Sequence, residues 1–137
     1  MERSLAASAL ASLALALAVA GLAPAAPALS APLKGDPVRG KQVYGRRCSG
    51  CHTLVRNGEG PRHLHVYGAR AGSVPDYDYS EALAGSNIVW DEVTLDRWLA
   101  DPEALIPGQG MGYQVRSARD RADIIAYLKS FYRPGRR

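Results

Sequence analysis

The chain has 137 residues, of which 47% are hydrophobic and 22% charged, and its formal net charge at pH 7 is +4. This length excludes a large multidomain protein and leaves room for one small domain. An acidic block at residues 73–111 interrupts the basic residues and no nucleic-acid-binding motif is present, so the sequence argues against nucleic acid as a partner.

Residues 1–31 are predicted to be a secretory signal peptide. An apolar run from Leu5 to Leu22 follows Arg3, and the small residues at positions 23–31 match what a signal peptidase accepts. An uncleaved membrane anchor is the alternative, since the run is just long enough to span a bilayer. The remaining residues, 32–137, are predicted to form one domain in the periplasm.

The stability that the core of so small a domain provides is marginal, and such domains often need a disulfide, a metal or a cofactor for additional stability. The chain has only two cysteines, Cys48 and Cys51, and a disulfide across two intervening residues would close a tiny loop and stabilise little. The sequence therefore favours a bound cofactor as the source of this additional stability.

A first helix is predicted over residues 38–47. Asp36 supplies a capping side chain, and Pro37 suits the first helical position because an N–H there would have no helical partner. Val43 and Tyr44 are among the apolar residues of this helix. The helix leads directly into the two cysteines.

The stretch from Thr53 to Trp90 is predicted to be irregular, because it is rich in Gly, Pro, Asn and Tyr and shows no sustained period. Connections longer than about 15 residues without secondary structure are uncommon in compact domains. Wrapping around a large ligand would explain such a stretch.

Two further helices are predicted in the last third of the chain. A short helix over residues 94–100 is ended by Pro102, and residues 106–111 form a tight Pro/Gly turn. Ser117 and Asp120 resemble a capping box that opens the best helix in the chain. Its apolar stripe at helical spacing consists of Ala122, Ile124, Ile125, Leu128 and Phe131. Because no strand pairs are recognisable, the predicted fold class is all-α.

The segment Cys48-Ser-Gly-Cys51-His52 has the pattern C-x-x-C-H, which is the attachment pattern of c-type haem. Two thiols at this spacing match the two vinyl groups on one edge of the porphyrin, with which they form thioethers. His52 would then lie under the iron and offer an imidazole nitrogen as the proximal ligand. The motif therefore predicts one covalently bound haem c.

A redox-active pair and half of a zinc site are the alternative interpretations of the two cysteines. A thioredoxin-like pair would need a βαβ context, which this sequence lacks. Together with the two cysteines, His63 and His65 would give the four ligands of a Cys₂His₂ zinc site, but the ligand spacing is unusual.

Met111 is the predicted second axial ligand, since it is the one methionine after the predicted signal peptide. Its thioether is a soft, neutral ligand, and the turn at residues 106–111 is suited to presenting a side chain at a fixed point. Packing in the core is the alternative role for a lone methionine. His63 and His65 are rival ligands, although they follow His52 so closely that reaching the other haem face would be a stretch.

With these motifs in place, residues 35–131 resemble the class I cytochrome c family of bacteria and mitochondria. Gly40-Lys-Gln-Val-Tyr44 resembles the N-terminal helix of the family, and Ile124-Ile-Ala-Tyr-Leu128 resembles the C-terminal helix. In the family these helices cross tightly, and the glycine allows the close approach. The resemblance implies the cytochrome c fold, a small helical domain wrapped around one covalently attached haem.

The resemblance also implies roles for single residues in binding the cofactor. Pro61 matches the proline whose carbonyl accepts the proximal histidine N–H, and Tyr79 and Trp90 match positions that hydrogen-bond a haem propionate. Trp98 stands where the family usually has a tyrosine near the methionine sulfur, and Tyr113 occupies an aromatic position beside the haem edge.

The loop that follows the proximal histidine departs from the family pattern. The family commonly reads Gly-Pro-x-Leu-x-Gly-x-x-Gly-Arg there, whereas His63 replaces the leucine, His65 a glycine and Ala69 the arginine. Arg70, one place along, is expected to compensate for the missing propionate partner. The roles of the two histidines stay open at this point.

The function implied is outer-sphere transfer of single electrons, without enzymatic activity, because both axial positions of the iron are filled. Redox proteins would dock near the haem edge through a small interface, steered by the segregated charges. No small-molecule substrate is expected, and a membrane is a partner only if the N-terminal segment is uncleaved.

Two alternative functions remain. The first is a haem subunit, or a dedicated electron acceptor or donor, of one periplasmic dehydrogenase or reductase. The second is an enzyme or gas sensor with an open iron position, against which a six-coordinate ligand set argues.

Overall fold

The computed structural model describes residues 33–135, which fold into helices joined by longer connections. The helices are α1 (Pro37–Arg47), α2 (Glu81–Ala84), α3 (Glu92–Ala100), α4 (Pro102–Leu105) and α5 (Ala118–Lys129). No β-strand occurs in this part of the chain, where an isolated β-bridge joins Arg70 to Val89. The all-α prediction is therefore confirmed.

The predicted signal peptide at residues 1–31 lies outside the described residues. Between residues 33 and 135, no helix has the length and apolar character needed to cross a membrane.

The first helix ends where the sequence predicts and begins one residue earlier, at Pro37. The carboxylate of Asp36 accepts the backbone N–H of Val38 at 2.8 Å, and Pro37 occupies the first helical position. Val43 and Tyr44 are buried on the inner face of α1. This end point places the cysteine motif immediately after the last helical turn.

α1 and α5 cross in direct contact at Gly40. A Cβ atom built on Gly40 would overlap the carbonyl oxygen of Asp123 and lie 2.7 Å from its carbonyl carbon. Gly35, just before α1, approaches the carbonyl group of Ala122 in the same way. The crossing therefore requires residues without a Cβ, as the resemblance to the family implies.

Asp123 ties the two helices together from the buried side of their interface. Its side chain is fully buried, accepts the backbone N–H of Asp36 at 2.7 Å and forms an ion pair with Arg39. Asp120, on the same helix, pairs with Arg39 at 3.0 Å and with Arg47 at 2.9 Å. Since a buried carboxylate without partners is strongly destabilising, these contacts hold α1 and α5 in one relative position.

α3 starts two residues earlier than predicted. Asp91 caps it and forms a capping box with Thr94, so the first helical residue is Glu92 and not the predicted residue 94. Pro102 ends α3 as expected, and it is also the first residue of α4.

α5 begins as predicted and ends earlier than predicted. Ser117 caps it by accepting the N–H of Asp120 at 3.1 Å. The buried part of the predicted stripe consists of Ala122, Ile124, Ile125 and Leu128. Phe131 lies beyond the last helical residue, Lys129, so its predicted place on the helix was wrong.

The stretch from residue 53 to residue 90 is irregular apart from the four residues of α2. Its second half is closed by backbone hydrogen bonds from Trp90 to the carbonyl of Ala69 (2.9 Å) and from Ala71 to the carbonyl of Ile88 (2.7 Å). These bonds close residues 69–90 into a loop, and a cavity lies between the irregular stretch and the helices.

Candidate functional site

A cavity of about 700 Å³ lies between the helices and the long irregular stretch. It is lined by all seven residues that the sequence nominates for the cofactor: Cys48, Cys51, His52, Pro61, Tyr79, Trp90 and Met111. Apolar side chains form much of its wall, among them Leu64, Leu83, Leu95, Leu99, Val115 and Leu128. Its volume lies within the range of about 300–1,000 Å³ that is typical of sites for small molecules and cofactors.

The cysteine motif forms a turn at the end of α1. The backbone N–H of Cys48 donates to the carbonyl of Tyr44 at 2.8 Å, and that of His52 donates to the carbonyl of Cys48 at 2.9 Å. Burial raises the pKa of the Cys48 thiol to about 11. A redox-active pair relies on a thiol with a lowered pKa, so this environment argues against that alternative.

His52 has one ring nitrogen hydrogen-bonded, and its other ring nitrogen has no hydrogen-bond partner among residues 33–135. Its Nδ1 lies 2.8 Å from the carbonyl oxygen of Pro61 and must carry the proton, because a carbonyl oxygen only accepts. Nε2 is then left with a lone pair, as a metal ligand requires. Burial lowers the pKa of His52, which favours the neutral ring. Gly60 completes this arrangement, since a Cβ atom there would overlap the imidazole.

His63 stacks on His52. The two ring centroids are 4.0 Å apart with an angle of 20° between the planes, and Nδ1 of His63 lies 3.2 Å from the hydroxyl of Tyr44. Burial and, to a smaller extent, the neighbouring His52 lower the pKa of His63 to about 3, so the ring is neutral at pH 7. This position makes His63 a neighbour of the proposed ligand and argues against it as a rival for the opposite side of the iron.

His65 adopts the left-handed conformation, with φ 66°, where the family has a glycine. Its Nδ1 lies 2.8 Å from the carbonyl oxygen of Phe131. Among residues 33–135, no group of three or more His, Cys, Asp or Glu side chains is arranged to hold a metal ion. The interpretation as a zinc site therefore finds no support.

Met111 is half-buried in a loop shaped by glycines. Gly108 and Gly110 have φ values of 82° and 94°, which are accessible to glycine and strained for other residues. The chain turns at residues 107–108, in agreement with the predicted Pro/Gly turn.

The predicted aromatic residues surround the same space. Trp90 is buried and its ring centroid lies 5.2 Å from that of Trp98, while Tyr79 is half-buried. Burial raises the pKa of Tyr79. Tyr113 is 44% exposed, so it stands at the outer margin of the cavity.

Arg70, expected to replace the family's propionate-binding arginine, also lines the cavity. Its guanidinium donates to the carbonyl oxygens of Ala84 and Ser86 at 3.1 and 2.8 Å. A role toward a propionate stays a prediction.

The model of the cytochrome c family matches residues 37–131. The chain belongs to the cytochrome c family. Cytochrome c2 of Rhodomicrobium vannielii is 41% identical over 86 residues, which cover 60% of this chain and 69% of the relative. Cytochrome c2 iso-2 of Magnetospirillum fulvum is 42% identical over 86 residues, covering 61% and 90% of the two chains. Among solved structures, cytochrome cH from Methylobacterium extorquens matches with a TM-score of 0.67 and 39% identity, over 70% of this chain and 99% of that one.

These similarities confirm the cytochrome c fold and, with it, one covalently bound haem c. They also support the role of a single-haem electron carrier that exchanges electrons with redox partners.

The residues of this cytochrome fit such a haem. The cavity offers two thiols on one turn, an imidazole with a free Nε2 and a thioether, all against an apolar wall. Imidazole and thioether are ligands that suit haem iron, and the apolar wall suits the porphyrin face.

One residue of the site was missed from the sequence. Gln109 is buried, at 7% exposure, and hydrogen-bonds the backbone of Met111 on both sides. In the sequence, Gln109 is recognisable only as a long polar side chain between two glycines of the predicted methionine loop. This pattern does not show which atoms its amide group contacts.

Proposed function

We propose that this cytochrome is a periplasmic one-electron carrier and not an enzyme. Its haem, attached through Cys48 and Cys51, would supply a one-electron iron couple, and His52 and Met111 would be the two axial ligands. With both axial positions filled by the protein, no position is left for a substrate.

The observation that carries this proposal is the arrangement of His52. Its Nδ1–H is held by Pro61 and its Nε2 is free, in a cavity shared with both cysteines and the Met111 side chain. A carbonyl that accepts the N–H of a metal-bound histidine fixes the ring orientation and raises the basicity of the ligating nitrogen. Pro61 is therefore proposed to orient the proximal ligand.

Tyr79 and Trp90 are proposed to hydrogen-bond the haem propionates. Both line the cavity and each offers one polar hydrogen at the end of an otherwise apolar ring. Buried tyrosine and tryptophan side chains usually need such a partner.

The proposed docking surface is the rim of the cavity near Cys51 and Tyr113, both of which are exposed. Electrons would enter and leave there through a small, transient interface steered by the segregated charges of the chain. The proposed periplasmic location depends on the signal peptide at residues 1–31. N-terminal sequencing of the mature protein tests it, and a mature chain that starts at Met1 would contradict cleavage.

Axial ligation is tested by spectroscopy of the oxidised protein. The wild type should show the weak long-wavelength charge-transfer band of a thioether-ligated ferric haem, and Met111→Ala should abolish it. The reduced Met111→Ala protein should also bind carbon monoxide quickly, because an axial position is then open. A wild type without the band, or one that binds carbon monoxide as fast as the variant, would contradict ligation by Met111.

Covalent attachment is tested by extraction. Acidic acetone should leave the pigment on the wild-type chain, and the double variant Cys48→Ser/Cys51→Ser should release any haem that it holds. Pigment that leaves the wild type under these conditions would contradict the two thioether bonds.

A further inference from the structure

The side chain of Gln109 brackets the backbone of Met111. Its Oε1 accepts the N–H of Met111, and its Nε2 donates to the carbonyl oxygen of the same residue at 2.9 Å. The side-chain amide of Gln109 therefore bonds both the backbone N–H and the backbone carbonyl of Met111, a residue that lines the haem cavity.

Gln109 is itself tied to two other elements. Its backbone carbonyl accepts the hydroxyl of Ser80, which caps α2, at 2.9 Å. Its Nε2 lies 3.5 Å from Oε2 of Glu103 in α4, and Oε1 of Glu103 accepts the N–H of Gly108 at 2.8 Å. Gln109 is thus anchored to both α2 and α4.

The backbone of this loop provides little rigidity of its own. Gly108 and Gly110 flank Gln109, and Gly112 follows Met111. Glycine has more conformational freedom to lose than any other residue, so a loop with three of them needs a side chain to fix it.

We propose that Gln109 is the positioning residue that holds the sulfur of Met111 on the iron. The inference rests on the proposed function, in which Met111 is the second axial ligand. A primary amide is suited to this task because it offers an acceptor and a donor at once. Glutamate would lose the donor and place a negative charge beside Glu103, and asparagine is one methylene too short to make both bonds from the same backbone position.

The proposal is tested by competition with free imidazole for the iron of the oxidised holoprotein. Imidazole displaces a weakly held thioether, and loss of the long-wavelength band reports the displacement. Gln109→Ala should bind imidazole about tenfold to a hundredfold more tightly than the wild type, which corresponds to about 1.4–2.8 kcal/mol. That range is the scale of two net hydrogen bonds.

Gln114→Ala is the matched control, since Gln114 is exposed and lies three residues beyond Met111. It should bind imidazole as the wild type does. Gln109→Glu and Gln109→Asn should resemble Gln109→Ala and provide the same test if the alanine variant does not accumulate as holoprotein.

The outcomes separate this inference from the proposed function. A wild type without the band contradicts ligation by Met111 itself. A wild type with the band, together with Gln109 variants whose imidazole affinity is unchanged, overturns the role of Gln109 and leaves the ligand assignment intact. Tighter binding by Gln114→Ala as well would also overturn it, because the effect would then not depend on the bracket.

Discussion

Replacing Gly40 by alanine is expected to separate the two helices that frame the haem domain. A Cβ atom at this position would overlap the carbonyl oxygen of Asp123 and lie 2.9 Å from Cβ of Tyr127. The atoms that it meets belong mainly to the backbone of α5, which cannot rotate away as a flexible side chain would. Relief therefore requires α1 and α5 to move apart, which loosens the contacts that bury Val43 and Ile124.

Two opposing effects set the magnitude at Gly40. Alanine is favoured over glycine in a helix interior by about 1 kcal/mol. Overpacking costs about 1–3 kcal/mol, and a clash with backbone belongs at the upper end of that range. We therefore expect Gly40→Ala to lower the free energy of unfolding by about 2 kcal/mol. In a domain of this size that change lowers Tm by roughly 8–16 °C.

Gly45 in the same helix provides the control for Gly40. A Cβ atom there meets nothing within 4 Å, so only the favourable backbone effect acts and Gly45→Ala should raise the free energy of unfolding by about 1 kcal/mol. Urea unfolding of the two holoproteins, followed by far-ultraviolet circular dichroism, measures both changes. Equal stability of the two variants would refute the close crossing of α1 and α5.

Two further predictions concern side chains that join distant parts of the fold. Hydrogen bonds from Lys129 and Tyr67 lower the pKa of Glu92 from 4.5 to about 2, so their stabilising effect is present above pH 4.5 and lost as pH falls toward 2. The urea midpoint of the wild type should therefore fall over that interval more than that of Glu92→Gln, and parallel curves would contradict the contribution. His63→Leu leaves the buried Tyr44 hydroxyl without its partner and should destabilise the protein by about 1–3 kcal/mol. Adding Tyr44→Phe should recover part of this loss in a double-mutant cycle, whereas strict additivity would show that the two side chains are not coupled.

The parts of the fold that the sequence predicted correctly have local signals. Asp36 and Pro37 mark the start of α1, and Ser117 marks the start of α5, because capping depends on residues within one turn. The start of α3 was predicted two residues late, because the capping box that Asp91 forms with Thr94 was not recognised in the sequence. Phe131 kept the helical spacing after α5 had ended, so periodicity alone does not fix the last turn.

The candidate site also has features with a local sequence signal and features that depend on the tertiary structure. The cysteine motif was recognisable because its residue types and spacing reflect the chemistry of haem attachment. The methionine loop was recognisable because Met111 is the one methionine after the predicted signal peptide. The stacking of His63 on His52 and its bond to Tyr44 were not, since they depend on how the loop folds back onto α1. Local composition around Gln109 likewise did not show that its amide would turn toward Met111.

The contacts that hold the proposed axial ligands join residues close together in the sequence. The contacts that hold α1 against α5, the helical frame of the domain, join residues far apart in the sequence. His52 and Pro61 are nine residues apart and Gln109 and Met111 two, but Arg39 and Asp123 are separated by 84. Changes in the frame should therefore act on the folding equilibrium, and the molecules that remain folded should keep the spectrum of the wild type. Changes in the ligand loops should act on the spectrum with a smaller effect on unfolding, because most of the buried core lies outside those loops. Measuring both quantities on Gly40→Ala and Gln109→Ala tests this division, and it fails if each variant changes both quantities to a similar degree.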